Sequence, residues 1–197
     1  MNRHILSILC FVVCWVPMLV AANPLESHQD EWQLITKAMR EGNPKTGRDL
    51  LVGIEQDAIK SKQWDEVARA IATRVLLENS DRPGDDPQRL IDLDAAIQGA
   101  PVQTRGALQA IQANWTWNFF QMNRWRFAQR TTQAQSDTNR DLSEINSWDL
   151  RRIVLEIRDQ FEMALSDDGG LKGLPVEDWA MLVEAGSMGD AYRPTLW

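Results

Sequence analysis

Cysteine is nearly missing from this chain, and its placement matters more than its number. Cys10 and Cys14 are the only two, and both sit in an apolar run near the N-terminus. Histidine is as scarce, with His4 and His28 alone. Beyond the apolar leader there remain no cysteine and one histidine. Thiol catalysis, disulfide bonds, Cys-type zinc sites and iron–sulfur clusters therefore lack the side chains they need. A metal site built from several histidines is excluded with them. No glycine-rich phosphate loop and no serine-nucleophile motif is present. Positive charge is also in deficit, at 21 basic against 28 acidic residues and a net of −7, which disfavours a nucleic-acid partner. The expectation is a protein with no catalytic residues, no cofactor and no metal.

What is present begins with a leader. Met1-Asn2-Arg3-His4 is followed by an apolar run from Ile5 to Val20 and then by Ala21-Ala22-Asn23-Pro24. A positive start, an apolar middle and small residues at the end make up a secretory signal peptide. Val20-Ala21-Ala22 places small residues for cleavage after Ala22, so residues 1–22 are read as the leader and 23–197 as a single domain. An uncleaved anchor is disfavoured by Pro17 and by a run short of the roughly 20 residues of a spanning helix. Leu9 before Cys10 and Val13 before Cys14 are too large for a lipidation site. The protein is thus expected to be exported, periplasmic or secreted, with no membrane span after cleavage. Cleavage leaves 175 residues (197 − 22) with 20 basic and 28 acidic groups, a net of −8. Eight of the nine tryptophans lie in that part, so large aromatics must supply much of the packing.

Apolar spacing is helical almost throughout, and no alternating strand pattern stands out. Leu150, Ile153, Val154, Ile157, Phe161, Ala164 and Leu165 make one stripe, from which Arg151, Arg152, Glu156 and Arg158 should face away. Ser147 is its expected N-cap. A second clean stripe is Trp64, Val67, Ala68, Ile71 and Val75. Asn43-Pro44 and Asp86-Pro87 pair a capping side chain with a proline at a helix start, and Pro101 and Pro175 read the same way. Gly42 and Gly186 suit left-handed helix ends. These signals predict helices near 26–41, 44–60, 63–79, 87–98, 101–130, 148–166 and 175–185, with 131–146 as a polar surface loop. The pair 44–60 and 63–79 forms an antiparallel hairpin. Its length is close to a tetratricopeptide unit, but the Trp…Leu-Gly…Tyr signature of that repeat is missing. The fold class is all-α, a stack of antiparallel helical hairpins, TPR-like without the repeat signature.

The densest segment runs from Asn114 to Phe127. Leu108, Ile111, Trp115, Phe119 and Met122 form one stripe, and Trp117, Phe120, Arg124 and Phe127 another. Aromatic stripes at helical spacing are usually core, so this segment reads as a central helix packed on both sides, with arginines stacked on aromatics. The competing reading is an exposed aromatic and basic surface. The two differ measurably. In a core, Trp117→Ala or Trp125→Ala should cost about 3–5 kcal/mol, while an exposed face would leave stability almost unchanged. Asp85-Asp86 and Asp167-Asp168 lack the alternating spacing of a calcium loop and read as caps and solvated turns. His28, next to the leader, is expected in a chain end and is given no role. Asn114-Trp115-Thr116 is formally a glycosylation sequon, but inside an aromatic helix it is expected to be coincidental.

Three stretches carry a more specific signal. They are Trp117-Asn118-Phe119-Phe120-Gln121-Met122-Asn123-Arg124-Trp125-Arg126-Phe127-Ala128-Gln129-Arg130-Thr131, then Trp148-Asp149-Leu150-Arg151-Arg152-Ile153, then Ala191-Tyr192-Arg193-Pro194-Thr195-Leu196. In wording and order they resemble the N-terminal helical region of very large bacterial alpha-2-macroglobulin-like proteins. The resemblance singles out Trp117, Phe120, Arg124, Trp125, Arg126, Arg130, Trp148 and Arg193 as a candidate structural or interaction motif. It implies an exported helical start that precedes β-sandwich macroglobulin domains, which carry a protease-cleavable bait and often a Cys–Gln thioester. This chain departs from that pattern. With no cysteine after Cys14 it can form no such thioester, and it stops at Trp197 where relatives continue. That ending reads as a truncated frame.

The function expected from these signals is non-enzymatic: a helical module that supports missing C-terminal macroglobulin domains or docks a protein partner. The alternative is a free-standing periplasmic TPR-like module that binds a peptide or envelope protein. A carboxylate-dependent lytic enzyme is the remaining class, and no spacing of carboxylates supports it.

Overall fold

The computed structural model describes residues 28–130, 140–166, 168–183 and 195–196. The leader, Gly186 and most of the Ala191–Leu196 motif, Arg193 included, lie outside the described residues. So do the polar stretch 131–139 and the side chains of Asp167 and Asp168.

The chain folds as an all-α stack. Its helices are α1 (Gln29–Arg40), α2 (Pro44–Ser61), α3 (Trp64–Glu78), α4 (Gln88–Gly99), α5 (Arg105–Ala128), α6 (Leu150–Leu165) and the single turn α7 (Asp168–Leu171). Short 3-10 turns lie at Val102–Thr104, Leu142–Ser147 and Val176–Trp179. The described residues contain no strand, only an isolated antiparallel bridge between Pro175 and Thr195.

Local chemistry sets most helix ends where the sequence predicts them. The Asn43 side chain accepts from Thr46 N–H ahead of Pro44 at the start of α2, and Gly42 takes a φ of +68°. The Asp86 carboxylate accepts from Gln88 N–H at 2.9 Å, which with Arg82 holds its pKa below the ordinary carboxylate value. The α2–α3 hairpin turns at Lys62, which takes the left-handed φ of 58° without being glycine. A side chain pays about 1 kcal/mol for that conformation. Lys62→Gly should therefore raise stability by about 0.5–1 kcal/mol in urea denaturation, whereas a β-branched residue there should lower it.

α3 lies at the junction of two cores. Nine of its fifteen residues are buried, and its two faces serve two cores. Val67, Ala68, Ile71, Ala72 and Val75 join Leu90 and Leu93 of α4, Leu108, Ile111, Trp115 and Phe119 of α5, and Ile153 and Ile157 of α6. On the opposite face, Ala70 and Leu77 meet Trp32 and Ile35 of α1 and Leu51 and Ile54 of α2. Close approach on that side explains Gly47, where an added Cβ would lie 2.9 Å from Leu77 Cδ1.

Four expectations are corrected. The stretch after Arg140 is not all surface loop, because Leu142 and Ile145 are buried in the Leu142–Ser147 turn. The predicted helix at 175–185 is a 3-10 turn followed by a bend over the described part. The N-cap of α6 is Asp149, whose carboxylate accepts from Arg152 N–H at 2.8 Å, while the Ser147 hydroxyl donates back to Glu144 C=O. Asp149→Ala should cost about 1–2 kcal/mol, and Ser147→Ala about 0.5 kcal/mol or less, by thermal or urea unfolding.

The largest correction concerns which face of α6 points inward. Ile153, Ile157 and Ala164 are buried as predicted, but so are Glu156 and Gln160. Leu150, Val154, Phe161 and Leu165, expected in the core, are exposed. The helix is rolled because Arg140, in the connection between α5 and α6, gives the Glu156 carboxylate a charged partner and is itself held by Asp94 of α4 and Gln112 of α5. Arg140 Nε donates to Glu156 Oε1 at 2.7 Å and Gln160 Nε2 donates to the same oxygen at 2.8 Å. Arg140 also reaches Asp94 at 3.3 Å, and Gln112 Nε2 donates to Asp94 at 3.0 Å.

Candidate functional site

A groove of about 850 Å³ opens between α1, the start of α3 and the segment Gly173–Trp179. One wall is the face of α1 that carries Gln29, Trp32, Gln33, Thr36 and Arg40, spaced at helical periods. The floor is the first turns of α3, with Asp65, Glu66 and Arg69. The far wall is Gly173, Leu174, Pro175, Asp178 and Trp179.

Glu66 anchors the floor. It is buried in the first turn of α3, where the helix dipole favours a carboxylate. Its oxygens accept from the Trp32 indole N–H at 2.9 Å and lie 3.1 Å from His28 Nδ1. His28 is therefore docked against the fold and not a loose chain end. One turn on, the Arg69 guanidinium lies 3.9 Å over the Trp32 ring, a cation–π contact that fixes its position. Arg69 Nε is buried with no hydrogen-bond partner. Burial lowers the Arg69 pKa from its ordinary value, and the nearby Asp178, Glu66 and Asp65 charges oppose that shift.

The residues singled out in the sequence divide into two groups. Arg126, Arg130 and Trp148 form a latch. Arg126 donates to Asn123 Oδ1 at 3.0 Å and Asn146 Oδ1 at 3.3 Å, and Arg130 donates to Trp148 C=O at 2.8 Å. Trp148 is buried beneath Arg152, 4.8 Å from its ring. The second group does not form a core. Trp117 is 42% exposed and Trp125 61%, and Met122, placed by its spacing in the core stripe, is exposed too. Arg124 is exposed as well. Phe120 is half-buried in an aromatic row, 5.7 Å from Trp117 and 5.9 Å from Phe127. The expectation that α5 packs on both sides is thus wrong for its C-terminal half, which the layers of the stack leave open on one side. Arg193 lies outside the described residues.

The remaining candidates have structural partners. Asp86 caps α4 and pairs with Arg82, and Asp85 lies 3.9 Å from Arg126. Asn114 is mid-helix, with its Oδ1 accepting from Asn118. Among the described residues no group of three or more His, Cys, Asp or Glu side chains could hold a metal ion, and no helix is long and apolar enough to cross a membrane.

Reading by stripes missed the groove. Trp32 looks like one more core aromatic, and Glu66 and Arg69 like an exposed helix face. Their meeting depends on how α1 lies on α3, which periodicity within a helix does not encode. The one legible signal was the Glu66-x-x-Arg69 spacing at the start of a helix rich in apolar residues.

Fold and groove together define a class: an all-α helical stack with a half-polar groove at one end. No protein-family model, curated protein or solved structure matches the chain.

Proposed function

We propose that this chain is a non-enzymatic, exported helical module that makes protein–protein contacts, supporting or docking further domains as its resemblance to the N-terminal region of alpha-2-macroglobulin-like proteins implies. The observation that carries the reading is the outward ridge of α6. Leu150, Val154, Phe161 and Leu165 are exposed on one side of the helix while Glu156 and Gln160 are buried on the other. Trp117 and Trp125 are exposed on α5, the helix against which α6 packs. Exposed large apolar side chains gathered on neighbouring helices suit a protein contact. No cysteine follows Cys14, so a thioester trap has no place in these residues and the module's work is mechanical. Residues 1–22 carry the export signal in this reading.

The test is the nucleotide sequence beyond the codon for Trp197, translated in all three frames. Macroglobulin sandwich sequence there supports the scaffold role, and unrelated sequence removes it. Hydrolase or protease-inhibitor activity in the purified protein would overturn the non-enzymatic reading. A second reading, a free-standing periplasmic TPR-like module that binds protein segments, is favoured by the groove between α1 and the Gly173–Trp179 segment.

A further inference from the structure

The groove is lined by charges of both signs that have not paired with each other. Arg40, Arg69, Asp65 and Asp178 all border it. Among the described residues, their side chains make no ion pair or hydrogen bond with one another or with any other side chain. Some charges elsewhere pair closely, as Arg140 does with Glu156 at 2.7 Å and Arg158 with Asp159 at 2.6 Å. Arg69 is the sharpest case. It is held against Trp32, its Nε is buried, and no acceptor reaches it. The Nε itself is out of reach of a ligand, but Arg69 borders the groove, where the other N–H groups of its guanidinium can donate to a bound oxygen anion.

The surroundings narrow the kind of anion. Asp65, Glu66 and Asp178 are close enough to act on the Arg69 charge, so a polyanion would be repelled. A sugar needs an open aromatic platform, but Trp32 and Trp179 are buried and Arg69 covers a face of Trp32. An apolar ligand would strand the unpaired charges. A ligand with one carboxylate and one cationic group satisfies both signs. The far wall also already holds extended polypeptide: Leu196 N–H donates to Leu174 C=O at 2.9 Å, and Thr195 bridges Pro175. The groove volume of about 850 Å³ falls within the roughly 300–1,000 Å³ usual for small-ligand sites.

We propose that this groove binds a short zwitterionic peptide, with its C-terminal carboxylate on Arg69 and its ammonium group toward Asp65 and Asp178. The site is separate from the α6 ridge and stands whether or not that ridge docks further domains.

Calorimetric titration of the purified full-length protein tests it, with trialanine, trialanine amide, N-acetyl-trialanine and inorganic phosphate as probes. Trialanine should bind saturably, and amidation of its carboxylate should weaken binding at least about tenfold, the loss expected for a charge-assisted hydrogen bond. Arg69→Gln should lose as much. Because that change also removes the stacking on Trp32, Asp178→Asn, at an exposed position, provides a second variant. It should weaken trialanine several-fold while leaving N-acetyl-trialanine unchanged. Equal binding of trialanine and its amide would overturn the proposal. So would phosphate binding as tightly as the peptide, no peptide binding at millimolar concentration, or an Asp178→Asn variant that loses both peptides equally.

Discussion

Phe127→Ala should destabilise the protein by about 3–5 kcal/mol, whereas Trp125→Ala, two residues earlier on the same helix, should cost less than about 1 kcal/mol. The two side chains are both large aromatics in the densest aromatic run of the chain, and propensity treats them alike. Their surroundings do not. Phe127 is 2% exposed, with its ring 6.2 Å from Phe119 and 5.9 Å from Phe120. Truncation would leave a cavity lined by those rings, with no backbone freedom in α5 to close it. The Trp125 indole is 61% exposed and leaves no enclosed volume behind. Urea denaturation followed by circular dichroism separates the two. A Trp125→Ala loss as large as that of Phe127→Ala would mean that α5 packs on both faces, and would remove the exposed aromatic surface from the docking proposal.

Glu156→Ala should cost about 2–4 kcal/mol, close to a core aromatic although the residue is charged. Glu156 is 3% exposed and accepts from Arg140 and Gln160, with Arg152 Nη2 4.0 Å away. Removing the carboxylate leaves the buried Gln160 amide without its acceptor and frees Arg140 from α6. The loss falls below that of a fully buried ion pair because Arg140 is partly exposed and keeps Asp94 at 3.3 Å. Glu156→Gln retains the shape and an acceptor and should cost about 1 kcal/mol. Urea unfolding of the two variants measures the difference. If alanine and glutamine cost the same small amount, the network does not hold α6 in its observed roll, and the outward apolar ridge loses its structural cause.

Helix positions were legible to within a few residues at Asn43-Pro44, Gly42 and Asp86-Pro87, whereas Pro175 marks only a 3-10 turn. The stripe Val67, Ala68, Ile71 and Val75 is buried as its spacing requires. Of the residues singled out by resemblance, Arg130 donates to Trp148 C=O, while Arg126 bonds Asn123 and Asn146. The roll of α6 was not legible. Its apolar arc, Leu150, Ile153, Val154, Ile157, Phe161, Ala164 and Leu165, has the ordinary width of a core-facing stripe, and the roll away from it follows from Arg140, which lies outside the helix and partners the buried Glu156. The unpaired Arg69 was equally hidden, since its surroundings come from α1 and from residues more than a hundred positions away.

Sequence alone therefore determined the all-α class, the hairpin at residues 44–79 and the absence of cysteine after Cys14, because each depends on local spacing or on which residue types are present. Only the tertiary structure decided that α3 joins two cores, that Glu156 lies inside while Phe161 lies outside, and that Arg69 borders a groove with its Nε unpartnered. Those outcomes depend on which polar groups other parts of the chain offer, as Arg140 does for Glu156. A buried carboxylate is tolerated only where another element supplies its hydrogen bonds, and that supply is set by packing between elements distant in the chain.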